Sequence, residues 1–120
     1  MRRELRLYLA LKVRLWGLDA NGRGFEQDAT TVDITGCGAR LAGITCSLRS
    51  GCRIWLQHRG CKGNFWVRWV GKPGTGLQGQ IGLQFAQNGR FNWGRTIPQI
   101  PGDAFQLHGA RQENDSTYLG

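Results

Sequence analysis

Leu7-Tyr8-Leu9-Ala10-Leu11-Lys12-Val13-Arg14-Leu15-Trp16 is the stretch that decides the fold. Leu7, Leu9, Leu11, Val13 and Leu15 share one parity; Tyr8, Ala10, Lys12, Arg14 and Trp16 share the other. Side chains on a strand point alternately to opposite faces, so period 2 over this length predicts a half-buried strand. Downstream, Asn21-Gly22 tolerates positive φ and marks a tight turn, from which the chain returns through Phe25 to Ile34 as a second strand.

The same signature recurs along the chain. Ala39-Arg40-Leu41-Ala42 is short and strand-compatible. Cys52, Ile54 and Leu56 alternate with Arg53, Trp55 and Gln57, until Arg59-Gly60 breaks the run. Phe65 to Val70 is rich in aromatic and β-branched residues, and Ile81, Leu83 and Phe85 alternate with Gln80, Gly82 and Gln84. Gly71-Lys72-Pro73-Gly74-Thr75-Gly76 between them reads as a loop. Six short strands, 19 glycines and almost no helical periodicity predict an all-β fold, a small six-stranded antiparallel barrel. Closure removes exposed sheet edges. Alternation stops after Trp93, and Asp103 can cap a short helix within 103–112. The expected organisation is a barrel with an N-terminal arginine arm over 1–100 and a C-terminal tail over 101–120.

With 120 residues and 40% hydrophobic composition, one domain with one core is expected. No apolar run is long enough to span a membrane, and no apolar h-region follows the first arginines, so a cytoplasmic protein is expected. The net charge is +8, and it is uneven. Residues 1–100 hold 15 basic and 5 acidic side chains, giving +10; residues 101–120 hold one basic and three acidic, giving −2. Such a basic body implies an anionic partner: nucleotide, nucleic acid or acidic protein. Cys37, Cys46, Cys52 and Cys61 lack the short C-x-x-C spacing that chelates zinc from one turn, and His58 and His108 complete no ligand set. Reduced, mostly buried thiols and no metal are expected.

Two motifs carry chemistry. Arg2, Arg3 and Arg6 supply guanidinium forks suited to anionic oxygens. Alone, such a start also serves as a solubilising basic end. Asp33-x-Thr35-x-x-Gly38 supplies a carboxylate, a hydroxyl and a glycine at a strand end, a set that builds turns as readily as sites. Together they fit recognition of a guanine nucleotide, whose base edge offers parallel N–H donors to a carboxylate.

RRELRLYLALKVRL, TTVDITGCGARL, FWVRWVG and GQIGLQF together resemble the PilZ domain, the bacterial receptor for cyclic di-GMP, over residues 2 to about 94. That family's pattern is RxxxR before the first strand and [D/N]xSxxG at the end of the next. Arg2 and Arg6 match the first motif, Asp33 and Gly38 the second, and Thr35 replaces Ser while keeping the hydroxyl. The resemblance implies cyclic di-GMP as ligand, with no other cofactor. Arg2 and Arg6 would clamp phosphate and the O6/N7 edge of guanine. Asp33 would accept from N1–H and N2–H, Thr35 would add a hydroxyl bond, and Gly38 would let the backbone turn closely past the ligand. Arg3 and Arg40 are weaker candidates for stacking or phosphate contact, and Arg40 reads equally as a solvated strand residue.

Trp69 and Trp93 match apolar barrel positions, so burial is expected of both. Trp55 and Trp66 fall on an outer face, where an exposed pair would mark a partner surface. The leading expectation is a non-enzymatic sensor: cyclic di-GMP orders the arginine arm, and a downstream protein or fused domain responds. The alternatives are a small basic barrel that binds single-stranded nucleic acid, and an interaction module that works without nucleotide. An enzyme is not expected, because no nucleophile–base pattern and no P-loop sequence occurs.

Overall fold

Alternation in the sequence becomes an inside and an outside in the structure. A computed structural model describes residues 2–95 and 99–101, at 2–4 and 99–101 by backbone alone. Eight strands follow in chain order: β1 (Arg2–Glu4), β2 (Lys12–Leu18), β3 (Gly24–Thr35), β4 (Gly38–Ala42), β5 (Arg53–His58), β6 (Cys61–Val70), β7 (Ile81–Phe85) and β8 (Gln99–Pro101). Six of them close a barrel in the order β2-β3-β4-β7-β6-β5, every pair antiparallel. This is the expected six-stranded all-β barrel. Among the described residues no helix is long and apolar enough to cross a membrane. The C-terminal helix expected within 103–112 lies outside the described residues.

The predicted inward set forms the core. Val13, Leu15, Ile34, Leu41, Ile54, Leu56, Phe65, Val67 and Ile81 are all buried. One end is filled by an aromatic cluster in which Phe91 packs edge-on against both Phe65 and Trp93 at 5.2 and 4.6 Å. Trp93 is buried, as expected, and its indole N–H donates to the Thr35 carbonyl at 2.9 Å. Buried indoles need such a partner. This one ties the aromatic plug to the end of β3.

The first strand begins later than its alternation suggests. Leu7 and Leu9 face the core, but the ladder with β3 is interrupted before β2. The ladder stops at Lys12 opposite Thr30, and the Thr31 hydroxyl enters the gap. It accepts from the Leu11 amide at 2.8 Å and donates to the Leu9 carbonyl, doing with a side chain what a ladder does with backbone. Pairing resumes at Leu7 with Ile34. The arm is also more regular than expected, since Arg2–Glu4 pairs with Gln99–Pro101 as a two-stranded sheet.

Two hairpins show local sequence setting geometry. In the β2–β3 connection, Asp19 Oδ1 accepts from the amides of Asn21 and Arg23 at 2.8 and 2.9 Å, and Gly22 takes φ +78. Between β5 and β6 the turn is Arg59-Gly60, with His58 opposite Cys61, so β6 starts earlier than the aromatic-rich run alone suggests. The expectation of mostly buried thiols is not met: Cys37 is exposed, and Cys46, Cys52 and Cys61 are half-buried. All four sit in connections or at strand starts, on the wet rims of the barrel. Partial burial still pushes the Cys46 thiol above its ordinary value by desolvation.

Candidate functional site

Strand register brings four residues into one row across the outer wall. Asp33 on β3 lies opposite Arg40 on β4, Arg40 opposite Gly82 on β7, and Gly82 opposite Trp69 on β6. The row borders an open cleft of about 470 Å³ that also includes Arg6, Thr35, Gly38 and Arg68. Five of the seven expected residues therefore meet in one place: Arg6, Asp33, Thr35, Gly38 and Arg40. The side chains of the other two, Arg2 and Arg3, lie outside the described residues.

Asp33 is the electrostatic centre. Its side chain is only 2% exposed, although it points to the outer wall, because two arginines cover it. Arg40 donates to Oδ2 through Nε at 3.0 Å and Nη2 at 2.7 Å; Arg6 donates to Oδ1 through Nη1 at 3.3 Å. The Arg40 fork is short and charge-assisted, whereas the Arg6 contact is longer and its side chain is 52% exposed. Arg40 is thus an ion-paired part of the site, correcting its reading as a solvated strand residue. The signal in the sequence was its place directly across the hairpin from Asp33.

The β3–β4 turn is held from several sides. Thr35 Oγ1 accepts from the Cys37 amide at 3.2 Å. The carbonyls of Gly36 and Cys37 accept from the amides of Phe91 and Phe85 at 2.9 and 2.7 Å. A Cβ on Gly36 would overlap the Arg90 guanidinium, so a further arginine lies across this turn. A Cβ on Gly38 would overlap the Leu83 carbonyl of β7. The close approach that requires glycine at 38 is strand to strand, where the resemblance implied strand to ligand.

Trp69 departs from its expected burial. Strict alternation from Phe65 and Val67 turns residue 69 inward, but the β6–β7 register shifts between Val67 and Trp69. That bulge turns Trp69 outward, 36% exposed, with its indole laid over Gly82, where any Cβ would overlap it. Bulges re-aim side chains in this way. Beside it Arg68 Nε donates to Gln84 Oε1 at 2.6 Å. Arg68 and Trp69 are the site residues that sequence reasoning missed.

The cleft thus offers guanidinium groups, one carboxylate, a hydroxyl and an indole face. Among the described residues no three His, Cys, Asp or Glu side chains cluster to hold a metal ion. Such a set can bind an anion that also carries a planar, donor-bearing ring. No protein-family profile matches this chain, and no curated protein shows significant similarity to it.

Proposed function

We propose that this chain is a non-enzymatic receptor for cyclic di-GMP, and that the Asp33 cleft is its binding site. The observation that carries the reading is the convergence of Arg6, Arg40 and the ionisable edge of Asp33 beside the exposed Trp69 ring. Phosphates compete for the arginines, which then leave the carboxylate. The freed carboxylate accepts from N1–H and N2–H of guanine, and the indole offers a stacking face. Arg6 moves first, because its contact is the longer of the two. Its transfer from Asp33 to the ligand re-sets the arm formed by residues 2–6, and a downstream protein partner reads that change.

Calorimetry with cyclic di-GMP and cyclic di-AMP tests this. The guanine ligand binds in preference, since adenine presents an acceptor at N1 where guanine presents a donor. Arg6→Ala weakens binding by about tenfold, the loss of one or two charged hydrogen bonds. Asp33→Ala lowers affinity and narrows the preference for guanine. Equal binding of both dinucleotides, or unchanged affinity in Arg6→Ala, would overturn the assignment.

A further inference from the structure

Another part of the wall carries a second concentration of aromatic and basic groups that the nucleotide cleft does not use. Trp16 on β2 lies directly across from Trp55 on β5, and their rings are 6.2 Å apart at 10° to each other. Trp55 is 42% exposed. One row along, Arg53 on β5 lies opposite Trp66 on β6, with its guanidinium 4.6 Å from the ring centroid. Lys62 extends from β6 on the same outer face. A shallow cleft of about 750 Å³, bordered by Phe25, Gln57, Lys62 and the Arg14–Glu26 ion pair, runs beside Trp16.

Among the described residues, the charge on this face is compensated only at Arg14, which pairs with Glu26 and Asp28 at its β3 edge. Among those residues, carboxylates pair with Arg6, Arg14 and Arg40, and none pairs with Arg53 or Lys62. The partner must therefore bring negative charge. It must also cover three indoles, two of them half-buried and one exposed, that lie in a band about 10 Å wide across three strands. An acidic polypeptide satisfies the cations but leaves the rings wet, because its carboxylates and its apolar side chains are different residues. In a single-stranded nucleic acid every residue carries both a phosphate and a ring with a π-face, and stacking on tryptophan tolerates any base.

We propose that the outer face of β2, β5 and β6 binds single-stranded nucleic acid, with Trp16, Trp55 and Trp66 as stacking platforms and Arg53 and Lys62 meeting phosphates. The face is separate from the Asp33 cleft, so its function does not depend on the cyclic dinucleotide reading.

Tryptophan fluorescence of the full chain, titrated with oligo-dT and oligo-rU of about fifteen nucleotides, tests it. Quenching that saturates is expected, with duplex of the same length binding more weakly. Trp55→Leu, which keeps an apolar group at an exposed position, lowers affinity by at least about fivefold through lost stacking. The double variant Arg53→Gln/Lys62→Gln reduces the slope of log affinity against log salt by about 1.4, or 0.7 per phosphate contact. Three results would overturn the proposal: no binding at low salt, unchanged affinity in folded Trp55→Leu, or equal competition by poly-glutamate of matched charge. The last would assign the face to acidic polypeptides instead. None of these readouts passes through Asp33, so failure of cyclic di-GMP binding leaves the test intact.

Discussion

The two sides of this barrel use arginine in opposite ways. On β3 and β4 the charge is turned onto the protein itself, where Arg40 and Arg6 close over a carboxylate that is 2% exposed. On β5 and β6 it is left outward, where Arg53 rests on the Trp66 ring and pairs with no carboxylate among the described residues. The first arrangement binds stability and ligand chemistry together, since any ligand that takes the arginines must offer Asp33 something in return. The second leaves cations open to solvent, contributing little to the fold and available to a polyanion.

The sharpest way to break this comparison is to truncate one arginine on each side. Arg40→Ala removes the two short bonds to Asp33 and leaves a buried carboxylate with one longer contact. Stripping one partner from a buried pair costs about 3–5 kcal/mol, and the partial exposure of Arg40 and survival of Arg6 put the expectation near ~3 kcal/mol. Arg53→Ala loses an exposed cation–π contact, about 0.5–1 kcal/mol. Urea denaturation of both variants measures the gap. Equal losses would mean that the two kinds of arginine are energetically alike.

A smaller contrast lies in the glycines. Gly38→Ala places a methyl group against the Leu83 carbonyl, and two paired strands must move apart to admit it. About 2 kcal/mol of destabilisation is expected, the usual range for forced overpacking. Gly60→Ala, in the turn on the other side, meets nothing within 4 Å and should stay within about 0.5 kcal/mol of the parent. If thermal or urea melts show the two variants equally stable, strand contact does not explain the glycine at 38.

These contrasts also show where sequence reading succeeds. Alternation assigned Leu11, Val13 and Leu15 to the core, and the Asp33–Gly38 spacing located the turn that carries the candidate site. It failed wherever a non-local register shift changed the phase. The pairing of β3 with the residues before β2 slips by one between Thr30 and Ile34, where the Thr31 hydroxyl bridges Leu9 and Leu11, and this moved the start of β2. The bulge before Trp69 turned an apparently inward residue outward, and only the glycine at 82 on the neighbouring strand gives its indole room. Period-2 patterns describe one strand at a time, whereas a bulge is a property of a pair. The Asp33–Arg40 ion pair was within reach, because a two-residue turn fixes the register of its hairpin.

The smallest expected effect concerns Arg59, where the comparison can be sharpened within a single residue. Its φ of +57 is the left-handed region, unusual for a residue with a Cβ. That conformation costs about 1–2 kcal/mol relative to glycine, while glycine loses about 0.5–1 kcal/mol through the added freedom of its unfolded chain. Arg59→Gly should therefore stabilise the protein by about 0.5 kcal/mol. Its carbonyl accepts from Gln57 Nε2 at 2.8 Å, a bond that uses backbone and survives the change. Arg59 lies beside Lys12 and Gln57, at the edge of the outward basic face. If that face binds a polyanion, the same substitution weakens oligonucleotide binding modestly and lowers its salt dependence by about 0.7, one phosphate contact. Stability gained with affinity lost would show that a strained backbone holds a charge in place for binding. Stability gained with affinity unchanged would confine the outward face to Arg53 and Lys62.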